Sequence, residues 1–310
     1  MKTFVIVNPT SSGGATRKNW SVMCEKLSLA LPEFDYALTE YRGHATLLCK
    51  KALMTGYSRI IAVGGDGTVN EVINGFFQGD SLISPNAELG VLDAGTGGDF
   101  RKNIGLGDSL DAQTSAIQKG RTKPLTLGLA RFYGEEGQVQ SRYFAVICSF
   151  GISGDINHYV NKSPLLKRYG SGAAFTFGAL KCLFSYTNVP VNIALDGEAL
   201  YQGPLLVGAA CNGPWTGGGM MMAPKAESFS PELDFVIAGD LNLYERLMVF
   251  PRIYNGSHIK RPKVKYLKGG KLIVEPQAGA KGVVDMDGDI VGHLPLEIES
   301  ISAAIRVLTT

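Results

Sequence analysis

Five cysteines in 310 residues, none of them in a CxxC pair, leave neither a zinc site nor a disulfide framework to read. Cys24, Cys49, Cys148, Cys182 and Cys211 are scattered and odd in number, and read as free thiols in a reducing cytoplasm. Net charge is equally sparse: 30 basic against 28 acidic residues leave +2, too little to argue for a nucleic-acid partner. No hydrophobic run is long enough for a bilayer. The most apolar stretch, Gly170 to Tyr186, is interrupted by Lys181 and several glycines and falls short of the ~20 apolar residues a spanning helix needs. The opening MKTFVIVNPT has too short an apolar run for a signal peptide. The four histidines (His44, His158, His258, His293) show neither HxH nor HExxH spacing, and Gly151-Ile152-Ser153-Gly154 is one residue short of a Gly-x-Ser-x-Gly elbow. Histidine-bound metal and serine hydrolysis therefore both lose support. There is no internal repeat and no low-complexity tract.

What is present is glycine, 39 residues of it gathered at turns, in a chain too long for one small core and comfortable for two domains. The first third alternates strand-like and helix-like pieces. Phe4–Val7, Phe34–Leu38, Arg59–Val63 and Leu89–Leu92 read as strands. Helical spacing runs through Trp20, Met23, Cys24, Leu27, Ala30 and Leu31, through Ala45, Leu48, Ala52 and Leu53, and over Ser109–Gln118. Apolar strand runs with helices between them predict a parallel sheet buried on both faces. After about Pro124 strands follow one another: Thr126–Phe132, Arg142–Ser149, Val191–Asp196, Leu205–Cys211, Leu233–Ile237, Val264–Leu267 and Lys271–Val274. Val191, Ile193 and Leu195 alternate with Asn192, Ala194 and Asp196, a half-buried antiparallel signature. Helical patterning returns around Lys162–Tyr186 and Asn242–Tyr254. The expected organisation is an α/β domain over 1–124 and a mainly β domain over 125–310, with the last strand (Ala303–Leu308) assignable to either.

The stretch RIIAVGGDGTVNEVINGFF, residues 59–77, carries the sharpest signal. A strand that ends in glycines before a helix gathers unpaired backbone N–H groups at one point, and the helix dipole adds positive charge there. Both favour an anion. There is no P-loop lysine and no GxGxxG. Asp66 would repel a phosphate unless Mg²⁺ lies between them, and Mg²⁺ favours one or two carboxylates plus phosphate oxygens. The bland alternative is a tight strand–helix turn with Asp66 or Thr68 capping the helix. Asp99, after Gly95-Thr96-Gly97-Gly98, reads either as a second carboxylate on the same metal-phosphate region or as the N-cap of Phe100–Asn103. Arg101 and Lys102 read either as phosphate contacts or as a solvated face.

Gly64-Gly65-Asp66-Gly67-Thr68 followed by Asn70-Glu71-Val72 and Asn74-Gly75 resembles the GGDGTxNEVxNG signature of the diacylglycerol kinase catalytic family. Other segments resemble further family motifs in order: Asn8-Pro9 with Ser12-Gly13-Gly14, Thr39-Glu40 with Gly43-His44-Ala45, Gly95-Thr96 with Asp99-Phe100, Phe150-Gly151 with Gly154-Asp155, Gly217-Gly218-Gly219-Met220 with Ala223-Pro224 and Ala226, and Asp287-Gly288-Asp289. The resemblance covers nearly the full length. It implies a three-layer α/β nucleotide-binding domain followed by a β-sandwich-like domain. It implies an ATP-dependent, Mg²⁺-dependent lipid kinase acting on a diacylglycerol- or sphingoid-type hydroxyl.

The resemblance also assigns residues. Nucleotide contacts fall on Asn8, Ser12, Gly13, Thr39, Gly64, Gly65, Asp66, Gly67, Thr68, Glu71, Gly95, Thr96 and Asp289. Metal falls on Asp66 and Asp99, and catalysis on Asp66 and on Asp287 as the base that takes the lipid hydroxyl proton. From the residues alone, Asp287-Gly288 reads as a hairpin turn, with Asp289 two positions on along the same strand face. The implied partner is a lipid at a membrane surface, met by a cytoplasmic, peripherally associated protein; homodimerisation stays open. Gly170–Tyr186 reads as a shelter for acyl chains or as a core helix. Lys260 to Lys271 reads as a headgroup-facing strip or as a solvated strand face.

Departures from the family pattern are Asp93 where Pro is usual, Gly98 where Asn is usual, Val146 at a common Asn, Ser230-Pro231 in place of Asp-Gly, and Asp289 in place of Glu. They put a second metal site and part of the nucleotide contacts in doubt. The competing readings are an NAD kinase relative, against which NEVxNG argues, and a nucleotide- or lipid-binding protein with degraded catalysis.

Overall fold

The computed structural model describes residues 1–162, 171–277 and 279–310. The chain divides into two compact units, Met1–Leu125 with Ala303–Thr310, and Thr126–Ser302.

In the first unit, strands β1 (Thr3–Val7), β2 (Asp35–Leu38), β3 (Arg59–Gly64) and β4 (Glu88–Asp93) form a parallel sheet in the order β2-β1-β3-β4. The end of the chain adds to it, with Arg306 and Val307 in parallel register beside Glu88 and Leu89. All six residues of β3 are buried, which is why its sequence shows no alternation. The helices are α1 (Ser11–Ala30), α2 (His44–Met54), α3 (Asp66–Gly75), α4 (Asp99–Asn103) and α5 (Leu110–Lys119). The chain leaves β1 in one direction to reach β2, then turns back across it to β3 and β4. Right-handed crossovers therefore put α1 on one face and α2 and α3 on the other. α1 packs on α5, and α2 on α3, so the sheet lies between two helical layers. Val5, Val7, Ile61, Val63 and Leu92 point to the α1 side, against Leu27, Leu31 and Ile117.

The second unit is mainly antiparallel. Its elements are β5 (Thr122–Tyr133, begun in the first unit), β6 (Val139–Phe144), β7 (Ile147–Gly151), α6 (Ile152–Lys162), α7 (Ser171–Ser185), β8 (Val189–Leu195), β9 (Glu198–Leu205), β10 (Val207–Cys211), β11 (Leu233–Ala238), α8 (Leu243–Val249), β12 (Val264–Gly269), β13 (Lys271–Pro276), β14 (Val283–Met286) and β15 (Asp289–Leu308). One series of neighbours runs β12-β11-β10-β7-β14-β15, and a second runs β9-β8-β13-β15. One core serves both series: Phe144, Phe150, Phe235 and Met286 pack with Val191, Ile193, Val274 and Leu296. The result is a β-sandwich-like domain.

Two sequence readings change here. The single strand expected over Arg142–Ser149 is two strands, because the N–H groups of Ala145, Val146 and Ile147 turn onto the Asp287 carboxylate instead of a ladder partner. The helix expected over Asn242–Tyr254 stops as an α-helix at Val249 and continues as a 3₁₀ turn over Phe250–Asn255. Pro251 has no N–H to sustain it. Of the helical pattern over Lys162–Tyr186, residues 163–170 lie outside the described residues.

Candidate nucleotide-binding site

β1 is the point at which the strand order reverses, and ligands of open α/β sheets sit outside the carboxyl ends of the strands at such a switch point. Three glycine-rich turns leave the sheet there: Asn8–Gly14 after β1, Gly65–Thr68 after β3 and Ala94–Gly98 after β4. Hydrogen bonds tie them together. Asn8 Nδ2–H donates to Thr68 Oγ1 at 2.9 Å, and the Ser12 hydroxyl donates to the Ala94 carbonyl at 2.6 Å. Ser12, Gly13 and Gly14 have left-handed φ of 51°, 65° and 91°, so the regular helix α1 begins after them. Gly65 and Gly95 are packed backbone to backbone; a Cβ on Gly95 would lie 2.6 Å from the Gly65 Cα.

Asp66 sits at the centre of this edge. It does not cap its own helix, as the bland sequence reading had it. The N-cap of α3 is Gly65, with no side-chain cap bond, and the Thr68 hydroxyl is engaged by Asn8. The Asp66 carboxylate instead reaches across to α4, where it accepts the backbone N–H of Phe100 at 2.9 Å and of Asp99 at 3.3 Å. Burial pushes its pKa up to about 6, with the carboxylates of Asp99 and Asp93 adding to the rise and the Phe100 and Asp99 N–H groups opposing it. Asp99 is the first residue of α4 rather than its N-cap, which is Gly98 at φ 62°. Its buried side chain accepts from Lys102 Nζ at 3.3 Å.

Arg101 and Lys102 turn inward. Arg101 Nε pairs with Asp93 at 2.9 Å, and Lys102 Nζ donates to the Gly97 carbonyl at 2.8 Å. They brace the Gly95–Gly98 turn. Asp93 also accepts the Gly95 N–H at 3.0 Å, and a Cβ at Gly98 would lie 2.4 Å from its Oδ2. The departures at 93 and 98 are therefore one coupled feature, a carboxylate at 93 filling the space that a side chain at 98 would take. Gly98→Asn is expected to cost about 1–3 kcal/mol by overpacking. Much of that loss should disappear when Asp93→Ala is already present. A double-mutant cycle on melting temperature checks this; strictly additive losses would show that the positions are uncoupled.

The remaining expected contacts divide. Thr39 follows β2 on the same carboxyl edge, its N–H donating to the Val7 carbonyl at 2.8 Å. Gly67 and Thr96 are exposed there, and Gly64 is buried at the end of β3. Glu71 is engaged at a neighbouring helix. Its carboxylate accepts the N–H groups of Gly43 at 2.8 Å and Ala45 at 3.2 Å, at the N-terminus of α2.

Asp287 and Asp289 lie in the second unit. Asp287 occupies the β14–β15 turn at φ 48°, ahead of Gly288 at φ 89°. Asp289 opens β15 and pairs with Arg142 at 3.2 Å. The two acids are thus not on one strand face, because the turn lies between them. The Asp287 carboxylate accepts the N–H groups of Ile147 at 2.8 Å, Val146 at 3.1 Å and Ala145 at 3.2 Å.

Sequence reading missed Asp285. It is 3% exposed and accepts from Ser149 Oγ at 2.8 Å and Asn157 Nδ2 at 3.1 Å. Burial drives its pKa up to about 6, against its hydrogen bonds and with the Asp287 charge. An acid inside the apolar run Val283-Val284-Asp285-Met286 was the available signal. At Ser230-Pro231, direct hydrogen bonds hold the chain: Ser230 N–H to the Glu227 carbonyl at 2.9 Å, and the Ser300 hydroxyl to the Pro231 carbonyl at 2.8 Å.

The residues of the first unit fit a phosphate chain. Open space surrounds the Cβ positions of Gly13, Gly14 and Gly67, where close approach to the backbone is needed. They fit a divalent ion through Asp66, a hard oxygen ligand set beside the carboxylates of Asp93 and Asp99 at the edge of the glycine turns. No group of three or more His, Cys, Asp or Glu side chains among the described residues is arranged to hold a metal ion. Such an ion would take its remaining ligands from phosphate and water.

The fold is a mixed α/β domain carrying a glycine-rich cradle, followed by a β-sandwich-like domain. Residues 2–130 match the diacylglycerol kinase catalytic domain, and residues 146–309 match the YegS C-terminal NAD kinase beta sandwich-like domain. The chain belongs to the diacylglycerol kinase catalytic family, and it is a kinase of that superfamily with a YegS-like C-terminal domain. A diacylglycerol kinase of Bacillus subtilis (strain 168) is 29% identical over 306 residues, covering 98% of this chain and 95% of the relative. One from Staphylococcus carnosus (strain TM300) is 27% identical over 305 residues, covering 98% and 94%. Among solved structures, a diacylglycerol kinase from Bacillus anthracis str. Sterne superposes with a TM-score of 0.71 at 21% identity, covering 100% of this chain and 97% of that one. Yeast NADH kinase, complexed with NADH, shares the fold with a TM-score of 0.57 at 10% identity, covering 100% and 84%.

Proposed function

We propose that this chain transfers the γ-phosphoryl group of ATP to the hydroxyl of a diacylglycerol- or sphingoid-type lipid. The observation that carries the nucleotide half is the convergence of three glycine turns around Asp66 at the switch point of a parallel sheet. Phosphoryl transfer asks mainly for positioning and charge stabilisation, and backbone N–H groups at a helix N-terminus supply both. A magnesium ion bound with the nucleotide would offset phosphate charge and separate it from Asp66. We assign Asp287 to take the hydroxyl proton.

The lipid half is supported by the names of the full-length relatives from B. subtilis and S. carnosus. It is supported also by a cavity of about 340 Å³ in the second unit, within the size range of small-molecule sites. Gly151, Asp155, Cys182, Ser185, Tyr186 and Val283 line it, so one side of α7 faces a space that could receive an acceptor. No helix among the described residues is long and apolar enough to cross a membrane, and we place the protein in the cytoplasm with peripheral membrane contact.

The test is incubation with γ-labelled ATP and Mg²⁺ against a lipid panel and, separately, NAD. Label is expected in the lipid phase. Label on NAD would move the protein to the NAD kinase reading, and nucleotide binding without transfer to any acceptor would make it a binding protein.

A further inference from the structure

Two helices of the second unit carry large apolar side chains into solvent. On α7 these are Phe177, Leu180 and Phe184, at 55%, 41% and 63% exposure. At 3.6 residues per turn they fall within an arc of about 60°, while Ala179 and Leu183 of the same helix are buried. On α8 they are Leu243, Tyr244, Leu247 and Met248, again on one side, with Tyr244 72% exposed and Arg246 and Val249 turned inward. The helices are fastened together. Arg246 Nη1 donates to the carbonyls of Leu183 at 3.0 Å and Tyr186 at 2.9 Å, and the Thr176 and Tyr254 hydroxyls share a hydrogen bond. Exposed single apolar residues are ordinary; a set of this size on two joined helices marks an interaction face.

Charge selects the occupant. The segment Ser171–Ser185 contains no acid, and its one charge, Lys181, is exposed beside the apolar arc. Of the five basic residues in 241–263, Arg246 is turned inward and Lys263 pairs with the one acid of the segment, Glu245, at 2.8 Å, which leaves Arg252, Lys260 and Arg261 as a surplus of positive charge at the surface. A second copy would bring like charges together in a self-complementary contact. An anionic bilayer surface matches both the apolar stripe and the basic surplus. The neighbouring side of α7 lines the cavity described above, through Cys182 and Ser185, with Tyr186 just past its end, so the same helix borders solvent and cavity.

The geometry points to the outward faces of α7 and α8 as the surface on which this protein docks to an anionic lipid bilayer, the aromatic and leucine side chains entering the headgroup region and the basic residues meeting lipid phosphates. The choice of a bilayer rests on the lipid-kinase reading; the docking itself needs neither ATP nor turnover. The basic run Lys260–Lys271 contributes only in part. Within it Lys263 and Lys271 are committed to Glu245 and Glu297, and Lys265 donates to the Leu200 carbonyl.

Sedimentation with phosphatidylglycerol–phosphatidylcholine vesicles, without nucleotide, tests the assignment. The parent should bind these vesicles, bind pure phosphatidylcholine far less, and release as salt rises. Phe184→Glu with Tyr244→Glu, both exposed and so tolerable to the fold, should weaken binding about tenfold or more. Leu29→Glu, exposed on α1, should leave binding unchanged, and all three proteins should melt alike. Equal binding by parent and double variant, or no parent binding to anionic vesicles, overturns the proposal. A parent dimer in sedimentation velocity that the double variant dissolves would assign the face to a second copy and overturn it too. If the parent binds vesicles but phosphorylates no lipid, the functional reading fails and the docking surface stands.

Discussion

Asp66→Asn is expected to reduce nucleotide-dependent phosphoryl transfer at least about a hundredfold, the scale seen when one preorganised electrostatic group is removed, while leaving a fold at least as stable at pH 7.5. The two halves of this result separate what the side chain does. As an acceptor it holds the Phe100 and Asp99 N–H groups and so fixes α4 against the glycine turns; an asparagine oxygen keeps the shorter of these bonds. As a charge it is costly, since burial among Asp93 and Asp99 moves its pKa from 3.8 up to about 6. Between those values the native state holds a proton that the unfolded chain has lost. Stability therefore falls as pH rises through the window, and the loss is complete above it, about 3 kcal/mol in size. Acidifying from pH 7.5 to 5 should accordingly raise the melting temperature of the parent relative to Asp66→Asn. Magnesium nucleotide should favour the ionised form and so bind more weakly below about pH 6. Full activity in Asp66→Asn, or parallel melting curves across pH, would remove Asp66 from this role.

The parts of this molecule visible in its sequence are those governed by local rules. Arg59–Val63 reads as a strand because helices cover both its faces, and the glycines that follow announce a turn on the carboxyl edge. Ser109 announces α5, whose third N–H it accepts. Gly65 and Gly95 stood out because close backbone approach restricts the residue types allowed, whereas Asn8 and Ser12, which act through their side chains, were picked out only by resemblance to a family motif. What escaped was set by partners distant in sequence. Asp66 caps a helix that starts 33 residues later, and Glu71 caps one that lies before it; neither leaves a mark within its own helix. Asp93 and Gly98 looked like two separate losses of family residues, and only their contact shows that one compensates the other. The break at Ala145 has no glycine or proline to signal it, because its cause is the carboxylate of Asp287 on another hairpin.

That same carboxylate is the hardest residue to assign from pattern, and Asp287→Asn decides it. Three backbone N–H groups occupy most of the roughly four acceptor positions a carboxylate offers, which describes a structural clamp on the β6–β7 turn as well as it describes a held base. Asparagine is the useful replacement because it tolerates the left-handed φ of 48°. Its oxygen can still receive Val146 and Ile147, which share one carboxylate oxygen, while its NH₂ would face the Ala145 N–H. The expected stability loss is about 1–3 kcal/mol, the scale of one buried donor left without its acceptor. If Asp287 takes the proton, turnover should fall by about 10²–10⁴ with nucleotide affinity nearly unchanged, since that is what a positioned base contributes. If it is only a clamp, kcat should return once the variant is assayed well below its melting temperature. Alanine would not make the distinction, as it strands all three donors and is expected to lose folding and activity together.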